Sequence, residues 1–244
     1  MLHRRTVLAT GALATLPFAL PGGVLAASGK KDSVVLALTL EPPGLDPTAS
    51  AASSISEVVL YNVFETLTKI NADGSVSPLL AESWEVSPDL KTTTFRLRRG
   101  VKFHNGQPFN AASVKFSFDR AGSDKSTNKD KRSFARLTTQ VVDEHTVALV
   151  NQDIDPDLLF VLGQGTAIMV EPQSAARNNA KPVGTGPYRL GTWRKGASLT
   201  LTAWDGYRDP KALHIHRATF RFISDPAAQV AALLAGDVDL FPRV

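Results

Sequence analysis

The apolar positions of this chain fall into short runs punctuated by turn residues, and the runs alternate between the strand and helix periods. Ser33 to Leu40 is almost continuously apolar, the pattern of a strand covered on both faces. Ser54-Ile55-Ser56-Glu57 reads as a capping box, with Ile55, Val58, Val59, Asn62 and Val63 following along one helical side. Asn71 to Gly74 is a turn, and short strands are expected near Leu67, Trp84, Phe95, Val141 and Val147. Trp84 and Val86 share one strand face, and Phe95 and Leu97 share one face of the next. Between them Ser87-Pro88-Asp89 is turn chemistry, because Pro presets φ and Asp bonds its own backbone. Asn105-Gly106 opens a second turn, after which Asn110 caps a helix. Phe109 and Val114 stand at the two ends of a hydrophobic staple, and Phe118 extends the buried stripe.

The rest of the chain continues the alternation. Asp143 to Thr146 forms a hairpin corner, and Asp155-Pro156 starts a helix with Asp as cap and Pro in the first turn. Thr166 to Val170 reads as a strand and Pro172 to Asn178 as a short helix. Tyr188–Trp193, Leu199–Trp204 and Ala218–Ile223 are strands, Asp225-Pro226 starts a last helix ended by Gly236, and Val238 to Leu240 is a final strand. Strands interleaved with helices place the chain in the α/β class. No internal repeat is visible.

The N-terminus departs from this pattern. His3-Arg4-Arg5 precedes an apolar run from Val7 to Leu20 that is short for a bilayer span, and Pro21-Gly22-Gly23 breaks it. Val24-Leu25-Ala26 supplies small residues, so residues 1–27 read as a signal peptide cleaved near Ala26. Arg4-Arg5-Thr6-Val7-Leu8 resembles a twin-arginine export signal, and a buried N-terminal helix is the plainer alternative. No other segment is a membrane-span candidate. Cysteine is absent, which excludes disulfides, thiolate chemistry and a lipoprotein anchor; the mature chain is expected to be soluble. At 43% hydrophobic residues the 244-residue chain can bury a real core.

Charge narrows the partners. The 27 Lys+Arg against 23 Asp+Glu give +4, and removing Arg4 and Arg5 leaves 25 against 23. The densest basic stretch, Lys125 to Arg136, is interrupted by Asp130 and by Ser and Asn, and reads as a solvated loop, so no nucleic-acid partner is expected. His214 and His216 would share a strand face, yet no third metal ligand stands near them. Gly163-Gln164-Gly165 and Gly184-Thr185-Gly186 do not complete a nucleotide fingerprint, since Ile168 and Arg189 occupy the third glycine positions; crossover or hinge roles suit them better. There is no G-x-S-x-G, no H-E-x-x-H and no carboxylate pair set apart as acid and base. Neither a cofactor nor a catalytic residue is expected.

Four blocks carry a family resemblance. Leu80 to Arg120, Glu41-Pro42-Pro43-Gly44-Leu45-Asp46-Pro47, Pro182-Val183-Gly184-Thr185-Gly186-Pro187-Tyr188, and Asp225-Pro226 through Ala235-Gly236-Asp237-Val238-Asp239 resemble, in order, segments of the family 5 extracellular solute-binding proteins, the peptide, dipeptide and nickel receptors of ABC importers. Leu90 stands where the family usually has Gly. The resemblance implies a periplasmic binding protein-like α/β fold (type II, cluster C). Residues 33–74 and 183–244 would form parts of lobe I, and 75–182 an inserted α+β lobe II. A C-terminal lobe III would be absent, since family members are about twice this long. It implies a non-enzymatic, monomeric periplasmic receptor that closes on a short peptide and delivers it to an inner-membrane ABC permease, with nickel, an opine or an oligosaccharide as other ligands. By the same resemblance Ser50, Ala51 and Ser53 line the ligand side, though they equally read as a plain helix start. Phe134 covers ligand, and Gly165 and Thr166 lie at the crossover between lobes. His104 is expected to make a structural hydrogen bond. Because the family's charged anchors lie beyond this stretch, it would hold ligand weakly or not at all by itself. A secreted hydrolase and a chaperone-like module are the other readings.

Overall fold

In the computed structural model, residues 31–241 are described. The signal peptide, its cleavage near Ala26 and the twin-arginine pattern lie outside the described residues. In chain order the elements are β1 (Ser33–Leu38), α1 (Ser53–Val59), β2 (Thr68–Ile70), β3 (Val76–Pro78), β4 (Ala81–Val86), β5 (Thr92–Leu97), α2 (Ala111–Gly122), α3 (Lys131–Ala135), β6 (Leu137–Asp143), β7 (Thr146–Asn151) and α4 (Leu158–Val161). After two 3-10 turns, at Gly165–Ala167 and Ala175–Arg177, come β8 (Tyr188–Arg194), β9 (Ser198–Ala203), a 3-10 turn at Pro210–Ala212, β10 (Arg217–Phe222) and α5 (Pro226–Leu234).

These elements build two four-stranded sheets and a small hairpin. One sheet has the order β1-β10-β9-β8, with β1 parallel to β10 and the other pairs antiparallel. The other, β4-β5-β7-β6, is antiparallel throughout, and β2 pairs with β3. Each large sheet has its own core. Phe95, Leu97, Val147 and Leu149 pack with Val114 and Phe118 of α2 and with Phe134 of α3. Leu38, Leu199, Leu201 and Phe220 pack with Ile55, Val58 and Val59 of α1. Helix α2 touches both, because Phe116 leans on the second core. Burying a side chain such as Phe118 contributes about 1.5–3 kcal/mol.

Local sequence chemistry accounts for most boundaries. The Asn110 side chain accepts a hydrogen bond from Ser113 N at 3.2 Å, and Phe109 and Val114 lie in one core. Asp225 caps α5 by accepting from Ala228 N at 2.7 Å, with Pro226 in the first turn. Leu90 sits at φ 60°, a left-handed turn position that glycine would occupy without steric penalty.

Several expected elements differ. Helix α1 starts two residues early: Ala52 is its N-cap without a side-chain bond, so Ser54 and Glu57 form no capping box. It ends at Val59, before Asn62 and Val63, because Leu60 is already extended at ψ 129° and Tyr61 follows at φ 60°. Asp155 Oδ1 accepts from Asp157 N at 3.0 Å, making a local turn that delays α4 to Leu158. Thr166 to Val170 is not a strand: Thr166 and Ala167 belong to the 3-10 turn, and beyond it Met169 N donates to Glu65 O and Val170 N to the Ser117 hydroxyl, so the segment pairs with no ladder. Residues 172–178 hold only the turn at Ala175–Arg177. The run from Ser33 ends as a strand at Leu38, and Leu40 is 64% exposed. Val86 is exposed, whereas Trp84 packs against Phe95 at 6.1 Å between ring centres. The last strand reduces to a bridge between Leu36 and Leu240.

Candidate functional site

The loop after β1 is held rigid from beneath. Asp46, 1% exposed, accepts from Thr48 N at 2.9 Å, from the Thr48 hydroxyl at 2.5 Å and from Arg120 Nη2 at 2.8 Å. Arg120 Nη1 in turn donates to the Thr48 hydroxyl, which closes a three-residue ring between the loop and the end of α2. Asn179 fixes the loop from the other side, accepting from Leu45 N and Asp46 N. The charge-assisted bonds make this loop a fixed platform from which residues 49–53 project.

Two chain segments pass beside that platform, residues 60–67 from α1 toward β2 and residues 163–170 after α4. Tyr61 joins them: its hydroxyl donates to Gly163 O at 2.6 Å and accepts from Ile70 N at 2.9 Å. Gly165 lies so close to α1 that a Cβ there would sit 2.4 Å from the Ser56 hydroxyl oxygen. Between platform and crossings lies an open groove of about 330 Å³, lined by Ser50, Ala51, Ser53, Lys129, Gln164, Gly165 and Thr166 among others. A smaller hollow of about 190 Å³ at the end of β1 shares Ser53 and Glu57 with it. The groove wall offers mostly small side chains, hydroxyls and main chain, with two charged groups, Lys129 and Glu57.

The structure therefore gathers five of the six residues singled out in the sequence into one groove. Ser50 accepts from Ala52 N at 3.4 Å, and Ala51 and Ser53 are exposed. Thr166 acts mainly as a strut, since its hydroxyl donates to Asp130 Oδ2 at 2.7 Å and its carbonyl accepts from Asn128 Nδ2 at 2.9 Å. Phe134 is the exception. It is 3% exposed and stacked on Phe118 at 5.5 Å, because Gly122 lets the backbone of α3 close onto α2, so it packs the core and does not face the groove. Lys129, Gln164 and Ile70 also line the groove; Lys129 lies in the basic stretch that reads as a solvated loop and Gln164 in the glycine segment that reads as a crossover, and neither pattern points to a ligand site.

A second polar cluster ties the crossing to the later strands. Glu65, 2% exposed, holds Arg208 through two bonds of 2.7 Å and accepts from the Thr185 hydroxyl at 2.9 Å. Tyr207 lies beside this pair, and burial, then the Glu65 charge, push its hydroxyl pKa up to about 12. Gly184 and Gly186 pass directly over the same crossing: a Cβ at either would stand 2.0 Å from Val63 O or 2.4 Å from Asn62 O. His104 clamps this glycine segment from the 103–106 turn. Its Nε2 lies 2.9 Å from Gly186 O, and Gly184 N donates to its Nδ1 at 3.3 Å. A carbonyl must receive a proton and an amide must give one, so the ring is neutral with its hydrogen on Nε2. Burial lowers its pKa to about 4, against the opposing effect of the Gly186 bond.

His214 and His216 are both exposed, and among the described residues no group of three His, Cys, Asp or Glu side chains is placed to hold a metal ion. No helix among the described residues is long and apolar enough to cross a membrane.

Comparison with known proteins agrees with this architecture. The Glutathione-binding protein GsiB of Salmonella choleraesuis (strain SC-B67) is 32% identical over 236 residues, covering 94% of this chain and 46% of the relative. The chain thus spans about half the length of the curated relatives it matches. The structure of PBP AgaA with agropinic acid, from A. tumefaciens R10, superposes with a TM-score of 0.78 at 31% identity, covering 84% of this chain and 43% of that one. Haemophilus influenzae OppA, solved with the peptide RPPGFSPFR, shares the fold at a TM-score of 0.78 and 24% identity, over 86% of this chain and 45% of that one. The family model for the bacterial extracellular solute-binding proteins, family 5 Middle, matches residues 75–244, and the chain belongs to that family.

Proposed function

We propose that this chain forms one wall of the ligand site of a periplasmic receptor for short peptides, which captures its ligand by hinge closure and passes it unchanged to an ABC permease. The supporting observation is the groove itself. Ser50, Ala51, Ser53, Gly165 and Thr166 converge on it, and it sits where two crossing segments run beside a rigid loop. Small side chains and open main chain suit an extended ligand whose backbone pairs as an added strand would, with affinity that depends little on side chains. Relatives in the family are named for glutathione, and solved ones hold a peptide and agropinic acid, which favours a small ligand of peptide-like polarity.

In this reading residues 33–74 and 183–244 form one lobe and 75–182 the other, each sheet moving with its own core. The segments at 60–67 and 163–170, which pack residues into both cores, adjoin the hinge. Ligand favours closure only by its excess affinity for the closed form. Residues 1–27 direct export to the periplasm, and the mature receptor is a soluble monomer. Native mass spectrometry of the complete receptor, purified gently from the periplasm, tests the reading: a co-purifying peptide mass, displaced by added peptide and recovered intact, is expected. Recovery of cleaved peptide, or failure of the complete receptor to bind any peptide at millimolar concentration, overturns it.

A further inference from the structure

The segment carrying Lys129 is fastened to the groove on both sides. The Thr127 hydroxyl donates to Ala49 O at 3.1 Å, on the platform side. Asn128, 5% exposed, donates to Thr166 O at 2.9 Å and accepts from Asp130 N at 2.9 Å. Asp130 receives the Thr166 hydroxyl at 2.7 Å. Three neighbours of Lys129 are thus spent on anchoring, and Lys129 is the residue of this segment that reaches the groove. Its ammonium is weakly committed: the nearest carboxylate is its chain neighbour Asp130 at 4.0 Å, already engaged by Thr166, and the side chain is 51% exposed. By contrast, Lys131 Nζ donates to Asp124 O at 2.6 Å and does not line the groove.

We infer that Lys129 is a specificity-determining residue that makes this groove prefer ligands bearing a carboxylate. The inference rests on the groove being the ligand site. An ammonium carried on an anchored stretch of backbone beside open main chain adds a charge-assisted bond to any ligand whose carboxylate falls within reach, and adds nothing for a neutral one. The carboxylate can be a peptide's C-terminus or an acidic side chain. Because the lysine is half exposed, the gain is that of a partly screened pair, about fivefold in affinity.

The test is an amide-resolved NMR titration of the full chain with three probes at up to millimolar concentration: acetyl-trialanine with a free C-terminal carboxylate, the same peptide as an amide, and acetyl-Ala-Glu-Ala amide. The expected result is that all three shift the amides of residues 50–53 and 164–166, and that at least one carboxylate-bearing probe binds about fivefold tighter than the neutral one. Which probe gains tells terminal from side-chain recognition. Lys129→Gln brings the tighter probes to the level of the neutral amide, while Lys131→Gln leaves the preference intact. Equal affinities for all probes, or a preference that survives Lys129→Gln, overturn the inference and leave the groove reading standing. Absence of any shift in the groove overturns both.

Discussion

Acidification should loosen this fold through one residue. His104 is partly buried with its pKa lowered from 6.5 to about 4, by burial first and by the Arg189 charge to a lesser extent. In the unfolded chain the ring titrates near 6.5, so between pH 6.5 and 4 the unfolded state binds the extra proton and the folded state does not. The stability from neutral His104 is therefore complete above pH 6.5 and is lost as pH falls through 4. At about 1.36 kcal/mol per pKa unit the ceiling is about 3.4 kcal/mol, and residual solvent contact of the ring reduces this to roughly 2–3 kcal/mol. Urea unfolding at pH 7, 5 and 4, on the wild type and on His104→Asn, isolates the effect, since the carboxylates contribute equally to both. His104→Asn costs about 1–3 kcal/mol at pH 7 by leaving Gly186 O without its donor, and its stability falls less steeply with acid than the wild type's. Parallel acid slopes for the two proteins would falsify this account, as would a folded-state His104 proton resonance titrating near pH 6.5.

Four further outcomes are expected. Glu65→Ala strands the Arg208 guanidinium in a largely buried site and costs about 3–5 kcal/mol in urea unfolding, while adding Arg208→Met recovers part of the loss; a cost under about 1 kcal/mol would contradict the buried pairing. Gly186→Ala drives a methyl group onto Asn62 O, 2.4 Å from the Cβ position, and lowers stability by about 1–3 kcal/mol by thermal melting, with wild-type stability as the refuting result. Phe134→Ala removes a core ring and costs about 3–5 kcal/mol; loss of ligand binding at unchanged stability would return this residue to the groove. Asn110→Ala costs about 1 kcal/mol in the same assay through the lost bond to Ser113 N, and no change would mean the cap is idle.

What the sequence discloses here depends on how local the cause is. Asn110, Asp225 and Pro226 act within one helical turn, and the structure places them as helix-start residues. The strands near Trp84, Phe95, Leu199 and Phe220 follow from alternation that a sheet edge or core can satisfy in only one register. The misreadings share a different origin. Ser54 and Glu57 match a capping box, but Ser50 accepts from Ala52 N and Ala52 is the N-cap, so the preceding loop, itself held by Arg120 and Asn179, sets the start two residues earlier. Thr166 to Val170 has strand composition, yet the partners of its backbone are Glu65 O and the Ser117 hydroxyl, contacts 104 and 53 positions away in sequence order. The groove shows the same division. Residues 50–53 read equally as a plain helix start and point to the ligand side only through the family resemblance, whereas Gly163 and Gly165 announce a close crossover that can be read in advance. Lys129 cannot, because its basic neighbourhood suits a solvated loop equally well. Only the bonds from Thr127, Asn128 and Asp130 to Ala49 and Thr166 turn that loop toward the groove. Glycines and caps thus mark close backbone approach in the sequence, whereas which side of an anchored loop faces the groove is decided by contacts distant in the chain.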